Sequence, residues 1–142
     1  MLPHTSNVDT LFVVDLDSLP TSFAHSLARE HGLSERRLRG LLASGELERL
    51  GHGLYRKADA PPADLDLVEI ALRSPEATLC LATALSHHDL TDIIPAEIDV
   101  ALPRSRRQPR VRAPVRWRRF HEDTFNLGRE KMPADEGLYI GV

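Results

Sequence analysis

Glycine-containing breaks divide the N-terminal part of the chain into short apolar stretches, and their spacing constrains the fold more than any other feature. Thr21 or Ser22 is placed to cap a helix in which Phe23 and Leu27 share one face. Gly32 follows, and glycine at this position commonly ends a helix. The pattern predicts a short helix that stops at Gly32.

A second helix is predicted directly after this glycine. Ser34 is a favourable N-cap residue, and Leu38, Leu41 and Leu42 lie on one helical face. Gly45 closes the stretch.

Leucines and a tyrosine then flank the turn Gly-His-Gly at residues 51–53, which predicts two short strands joined in a hairpin. Two helices separated by a glycine-containing turn and followed by a hairpin are typical of a winged helix-turn-helix, which we expect over residues 1–58.

A further short helix is predicted upstream, from four apolar residues at helical spacing: Val8, Leu11, Phe12 and Leu16. Val13 and Val14 also allow a strand there.

Residues 59–64, of sequence Asp-Ala-Pro-Pro-Ala-Asp, have the composition of a linker. A helix is predicted from Leu65 that must end before Pro75, and residues 78–90 predict either a buried helix or a short strand that runs into one. Three more strands are predicted, at residues 98–102, 115–120 and 138–142. We therefore expect an α+β chain with a small mixed α/β region over residues 65–142, which continues beyond Val142 in the natural protein.

The net charge of −3 conceals an uneven distribution. Residues 21–58 carry a net +3, residues 59–99 carry −8 and residues 100–142 carry +5. Because phosphates respond to a local basic patch, the acidic total does not exclude nucleic-acid binding.

The chain has no run of 18 apolar residues, and its N-terminus lacks the pattern of a cleaved leader. A single cysteine, Cys80, excludes an internal disulfide and a cysteine metal cluster. We expect a cytoplasmic protein that uses no cofactor, no metal and no membrane partner.

The helix that begins after Ser34 has the features of a DNA recognition helix, and Ser34 at its start is a candidate DNA contact. With its leucines facing inward, Arg36, Arg37 and Arg39 lie on or beside the opposite face, together with two small residues that permit close approach. A solvated arginine face is the alternative interpretation.

The hairpin is expected to carry four more contacts to phosphates or to the minor groove, from Arg49, His52, Arg56 and Lys57. His52 taken alone is equally explained as a turn residue.

A second basic feature is an arginine-rich tract over residues 104–119, which holds eight arginines and no acid. It predicts contacts to a polyanion such as the DNA backbone, from Arg104, Arg106, Arg107, Arg110 and Arg112. The alternative is a solvated loop and strand edge that the acidic block at 59–99 balances. Trp117, between two arginines, either stacks on a base or forms the buried side of a strand.

Catalytic patterns are weak, and we expect no enzymatic activity. Glu97 and Asp99 suggest the acidic half of a metal-dependent nuclease, but the adjacent Glu130 and Lys131 would alternate across a strand. Cys80 lies in an apolar run and is expected to be a small core residue.

Several segments resemble the AbiEi-type antitoxins, a family of type IV toxin–antitoxin systems linked to abortive phage infection. The segments are 23–28, 32–34, 37–38, 41–47 and 50–56 in the first part, and 75–78, 82–90 and 98–103 with the following arginines in the second. In this chain Asp89 stands where the family typically has glycine.

The resemblance implies a bacterial repressor whose winged helix binds operator repeats upstream of its own operon. It implies a nucleotidyltransferase-like toxin encoded alongside, which is neutralised without a stable complex, and a C-terminal part involved in antitoxicity. Operator contact falls on the helix bearing Arg36, Arg37 and Arg39, and on the wing around His52 and Arg56.

We therefore predict a sequence-specific DNA-binding transcriptional regulator that binds double-stranded operator DNA, with inverted repeats, as a monomer or weak dimer. One alternative is a protein–protein interaction module whose arginine tract binds an acidic partner such as a cognate toxin. A metal-dependent nuclease is the more distant alternative.

Overall fold

The computed structural model of the chain describes residues 16–92 and 96–142. The chain forms two compact units, and the boundary between Pro62 and Ala63 falls inside the stretch expected to be a linker. The element expected from residues 8–16 lies almost wholly outside the described residues, and Leu16 begins a short 3-10 helix, Leu16–Ser18.

The first unit combines two helices with a three-stranded antiparallel sheet. Its elements in chain order are β1 (Ser22–Ala24), α1 (His25–Glu30), α2 (Glu35–Ser44), β2 (Leu47–Gly51) and β3 (Leu54–Lys57). The strand order is β1-β3-β2, so β3 is the central strand. The predicted hairpin is confirmed, with its turn at residues 52–53.

The prediction that Thr21 or Ser22 caps the first helix is wrong. Residues 22–24 form β1, which pairs with Leu54–Arg56 of β3, and α1 begins only at His25. Because the partner strand lies about thirty residues further along, this pairing leaves no signal in the local sequence. Phe23 is 1% exposed in this position, so burial of its ring favours the strand.

The predicted start of the second helix and the predicted C-terminal ends of both helices are confirmed. The Ser34 hydroxyl accepts a hydrogen bond of 3.1 Å from the Arg37 backbone N–H and caps α2. Gly32 and Gly45 follow α1 and α2 with φ angles of +83° and +81°, a conformation that costs glycine little.

The core of the first unit comes from both helices and from the sheet. Leu38 and Leu41 of α2 are each 2% exposed, whereas Leu42 is only partly buried. They pack with Leu19, Phe23, Ala28, Leu33, Leu47 and Tyr55. Burial of this leucine face directs the opposite face of α2 to solvent.

The second unit contains a five-stranded mixed sheet of order β6-β5-β4-β8-β7. Its strands are β4 (Thr78–Leu79), β5 (Ile98–Pro103), β6 (Val115–Phe120), β7 (Lys131–Asp135) and β8 (Leu138–Gly141), and its helices are α3 (Leu65–Arg73), α4 (Leu81–His87) and α5 (Glu122–Phe125). β5 runs parallel to β6 and antiparallel to β4, while β8 is parallel to β4 and antiparallel to β7.

Most predicted elements of this unit are confirmed. α3 is capped by Asp64 and ends before Pro75, and the three predicted strands correspond to β5, β6 and β8. β7 was not expected from the sequence, because Pro133 interrupts its apolar pattern.

Residues 78–90 follow the second of the two predicted alternatives, a short strand that runs into a helix. The helix is not buried, however. Thr83 faces β5 and accepts a hydrogen bond of 2.8 Å from the Asp99 backbone N–H, whereas Leu81 and Leu85 are 50% and 45% exposed.

Apolar side chains cover both faces of this sheet. Ile70 of α3 packs with Leu79, Val100 and Ile140 on one face, and Trp117 lies partly buried against this cluster. On the other face Cys80, Ala101 and Phe125 form a smaller cluster. Trp117 therefore takes the strand position that the sequence left as one of two alternatives.

Within the described ranges, the longest helix has ten residues, and none is long and apolar enough to span a bilayer.

Candidate nucleic-acid interface

The outward face of α2 is the first part of the candidate interface. Arg36, Arg37 and Arg39 are all exposed, and no residue in the described part of the chain forms a hydrogen bond or ion pair with their side chains. A Cβ added at Gly40 would meet no atom within 4 Å. The helix thus presents three available guanidinium groups beside an open, uncrowded backbone.

Two residues at the start of the helices flank this face. Ser34 is exposed, but its hydroxyl is engaged as the helix cap. His25 Nε2 at the start of α1 lies 3.7 Å from the Glu35 carboxylate. Glu35, which carries the carboxylate nearest in sequence to the three arginines, therefore points towards α1.

The tip of the β2–β3 hairpin carries two of the four side chains predicted there. Arg49 and His52 are exposed, and Arg49 Nη2 lies 3.5 Å from His52 Nδ1. Arg49 Nε also donates a hydrogen bond of 3.3 Å to the Gly51 carbonyl oxygen. These contacts hold the two side chains together at the tip.

The other two hairpin residues do not lie on the exposed surface. Arg56 is 4% exposed, and its Nη2 donates to the carbonyl oxygen of Pro61. Lys57 is partly buried, and its Nζ donates a hydrogen bond of 2.7 Å to the Leu19 carbonyl oxygen. The expected positions of these two residues are corrected, because both side chains donate to backbone carbonyl oxygens within the first unit instead of extending into solvent.

The arginine-rich tract divides into a loop and strand β6, and several of its charges are neutralised. Arg106 Nε lies 2.5 Å from Glu76 Oε1, and Arg118 Nε lies 3.5 Å from Asp99 Oδ1. Arg116 forms an ion pair of 2.9 Å with Glu97, and this hydrogen bond raises the pKa of the arginine. All three carboxylates belong to the acidic block at 59–99, in agreement with the alternative of internal balance.

Other residues of the tract fasten the loop or remain available. Arg119 Nη1 donates to the carbonyl oxygens of Arg104 and Arg106, at 3.1 and 2.7 Å. The side chains of Arg104, Arg107 and Arg110 are exposed and have no partner among residues 16–92 and 96–142. These three, rather than the whole tract, form the available charge.

Glu69 is a residue whose role the sequence analysis missed. It is 3% exposed on α3, and its two carboxylate oxygens accept hydrogen bonds of 2.7 and 3.0 Å from the backbone N–H groups of Arg112 and Ala113. The available signal was an acidic residue between Val68 and Ile70 of an apolar helix. Glu69 anchors the end of the arginine-rich loop to the core.

The residues considered for metal or nucleophilic chemistry are otherwise engaged. Glu97 and Asp99 are ion-paired with arginines, and nowhere in the described ranges do three histidine, cysteine, aspartate or glutamate side chains cluster to hold a metal ion. Cys80 is buried, as predicted, and burial together with the nearby Asp99 raises the pKa of its thiol to about 11. The thiol is therefore protonated at neutral pH.

No model of a known protein family matches the chain, and no curated protein matches it in sequence. The resemblance to AbiEi-type antitoxins therefore stays a prediction from the segments that carry it.

Proposed function

We propose that this protein is a sequence-specific DNA-binding transcriptional regulator whose first unit is a winged helix-turn-helix. The observation that carries this proposal is the set of three exposed, unpartnered arginines on α2, Arg36, Arg37 and Arg39. Their helix is capped at both ends and held to the core by Leu38 and Leu41. A rigid helix with available guanidinium groups is what readout of guanine edges in the major groove requires.

The hairpin contributes contacts next to the groove in this proposal. Arg49 and His52 lie at its tip and reach phosphates or the minor groove, while Arg56 and Lys57 have structural roles. The first unit thus offers five cationic or polar groups for the operator beyond the cap residue, and the hairpin contributes only two of them, fewer than the four that the sequence predicted.

The resemblance to AbiEi-type antitoxins extends this proposal. The protein would repress its own operon from inverted repeats in the bacterial cytoplasm, as a monomer or weak dimer, and would have no enzymatic activity. A nucleotidyltransferase-like toxin would be its functional counterpart without a stable complex.

A gel-shift titration tests the proposal. The full chain is titrated against the DNA upstream of its own gene, with scrambled DNA as competitor and at two salt concentrations. We expect a shift that survives the competitor. Equal binding to both DNAs that collapses with salt would show charge alone at work and would contradict sequence-specific recognition.

A protein–protein interaction module is the second candidate, favoured by the available side chains of Arg104, Arg107 and Arg110. In that case the loop binds an acidic partner such as the toxin. Co-purification of the neighbouring gene product with the wild-type chain, lost when the three arginines are replaced by glutamine, is the expected result. Binding to DNA with no such co-purification would favour the first proposal.

A further inference from the structure

A groove of about 350 Å³ in the second unit carries two positive charges and no negative one. Its apolar lining includes Leu72 and Pro75, next to the end of α3, and Leu138 of β8. Arg129 and Lys131 provide the charges, and no aspartate or glutamate lines the groove. Its size is within the range of small-molecule sites, which are mostly apolar with a few placed polar groups.

Arg129 is held in place without a neutralising partner. Its Nε donates a hydrogen bond of 2.6 Å to Thr78 Oγ1, and its guanidinium carbon lies 5.4 Å from the centroid of the Phe125 ring. The side chain is partly buried, yet no carboxylate in the described part of the chain pairs with it. The acidic residue among these contacts, Glu76, accepts from Arg129 Nη2 at 3.4 Å through its backbone oxygen, and its carboxylate binds Arg106.

Gly141 makes room for this guanidinium. A Cβ at this position would lie 2.7 Å from Arg129 Nε and 2.9 Å from Nη2. Lys131 lies directly opposite Gly141 in the β7–β8 pair, so its side chain projects to the same face of the sheet as the guanidinium of Arg129. An anion bound in the groove would be attracted by both cations, because both line it.

We propose that this groove binds a small organic carboxylate. The carboxylate lies between Arg129 and Lys131, and the apolar body of the ligand packs against Leu72, Pro75 and Leu138. The exposed ring of Tyr139, which also lines the groove, adds an aromatic wall for a planar ligand. This site is independent of DNA binding, since none of its residues belongs to the proposed operator interface.

Benzoate is the probe that tests this site, because it combines a carboxylate with an apolar ring. It is titrated into the ¹⁵N-labelled full chain while amide chemical shifts are recorded, with benzyl alcohol and acetate in parallel. We expect saturable shifts at Lys131, Tyr139 and Gly141, with an affinity in the millimolar range. Benzyl alcohol lacks the charge and acetate lacks the ring, so each should bind at least about fivefold more weakly.

Lys131→Met retains an apolar side chain of similar length and removes the charge. It should weaken benzoate binding by about tenfold, the order expected for one charge-assisted hydrogen bond. Gly141→Ala, which displaces Arg129, should abolish binding, and Arg110→Met is the control that loses an equal charge elsewhere. The absence of saturable shifts would overturn the proposal. Equal binding of benzoate and acetate, or equal loss in Lys131→Met and Arg110→Met, would overturn it as well, whatever the outcome with DNA.

Discussion

The guanidinium of Arg56 donates a hydrogen bond to the carbonyl oxygen of Pro61, so a side chain expected on the DNA-binding surface holds the end of its own unit. Its neighbour Lys57 binds the carbonyl oxygen of Leu19 at 2.7 Å. Two adjacent cations on the central strand thus fasten the segments that enter and leave the first unit.

Replacement of Arg56 should affect stability rather than DNA recognition. Arg56→Met removes a buried charged donor from the carbonyl oxygen of Pro61, and we expect the free energy of unfolding to fall by about 1–3 kcal/mol. Denaturant unfolding measures this change. Arg49→Met is the matched control, because Arg49 is exposed: its stability should change by less than about 0.5 kcal/mol while its DNA affinity falls. A loss of DNA affinity in folded Arg56→Met at unchanged stability would contradict the structural role.

Recognition by α2 predicts losses of affinity in Arg36→Ala and Arg37→Ala. Each should cost about 1–3 kcal/mol on the upstream DNA if its guanidinium contacts a base edge. The affinity on scrambled DNA should change much less, since phosphate contacts carry no sequence information. Lys131→Ala, which removes a charge from β7, serves as control in the same gel-shift titration. Unchanged affinity in both arginine variants would eliminate α2 as the recognition helix.

The division of the arginine-rich tract into available and paired charges predicts different salt dependences. If Arg107 and Arg110 contact phosphates, replacing either with alanine should lower the slope of log K against log salt by about 0.9. Arg116→Ala should leave the slope unchanged, because Glu97 already binds this arginine at 2.9 Å. Fluorescence anisotropy with labelled DNA at several salt concentrations gives the slopes. Similar slopes for all three variants would show that the ion pair with Glu97 does not affect the salt dependence, and would contradict the division into available and paired charges.

Glu69 anchors the arginine-rich loop, so its neutralisation should loosen that loop. Glu69→Gln removes a charged acceptor from two backbone N–H groups, and we expect the free energy of unfolding to fall by about 1–3 kcal/mol. Trypsin should then cleave faster after Arg110 and Arg112. Glu76→Gln is the control, because its ion pair with Arg106 is exposed and contributes little. Equal cleavage rates in the two variants would argue against the anchoring role.

Cys80 predicts a loss of stability in alkaline solution. The thiol has a pKa of about 11 in the folded protein and 9.0 as its ordinary value, so the folded state retains the proton longer. The protonated thiol contributes fully to the free energy of unfolding below pH 9. This contribution disappears as the pH rises to about 11, a change on the order of 1–2 kcal/mol. Comparison of wild type with Cys80→Ala by denaturant unfolding at pH 8 and pH 11 isolates this contribution from other titrating groups. An identical pH dependence in the two proteins would refute the raised pKa.

Local signals explain which parts of the fold the sequence predicted. The Ser34 cap, the glycines at 32 and 45 and the hairpin turn at 52–53 act through backbone groups only a few residues away. The same is true of α3, where Asp64 caps the helix and Pro75 prevents its continuation. Such elements are encoded where they form.

Strand β1 and the true positions of the cations could not be predicted in this way. Ser22–Ala24 becomes a strand because it pairs with Leu54–Arg56, and Arg56 is buried where its guanidinium donates to the carbonyl oxygen of Pro61. Likewise, Arg116 and Arg118 lose their availability to Glu97 and Asp99, because the parallel β5–β6 pairing brings a basic strand beside an acidic one.

Capping, turn formation and helical periodicity depend on neighbours along the chain, so most of the α+β elements, the glycine stops and the arginine face of α2 could be predicted from the sequence. Which arginines are available and which are buried or neutralised depends on the tertiary structure. The partner of a charge and the neighbour of a strand depend on which distant backbone segments meet, and a charge that already has a partner is no longer free to bind a ligand.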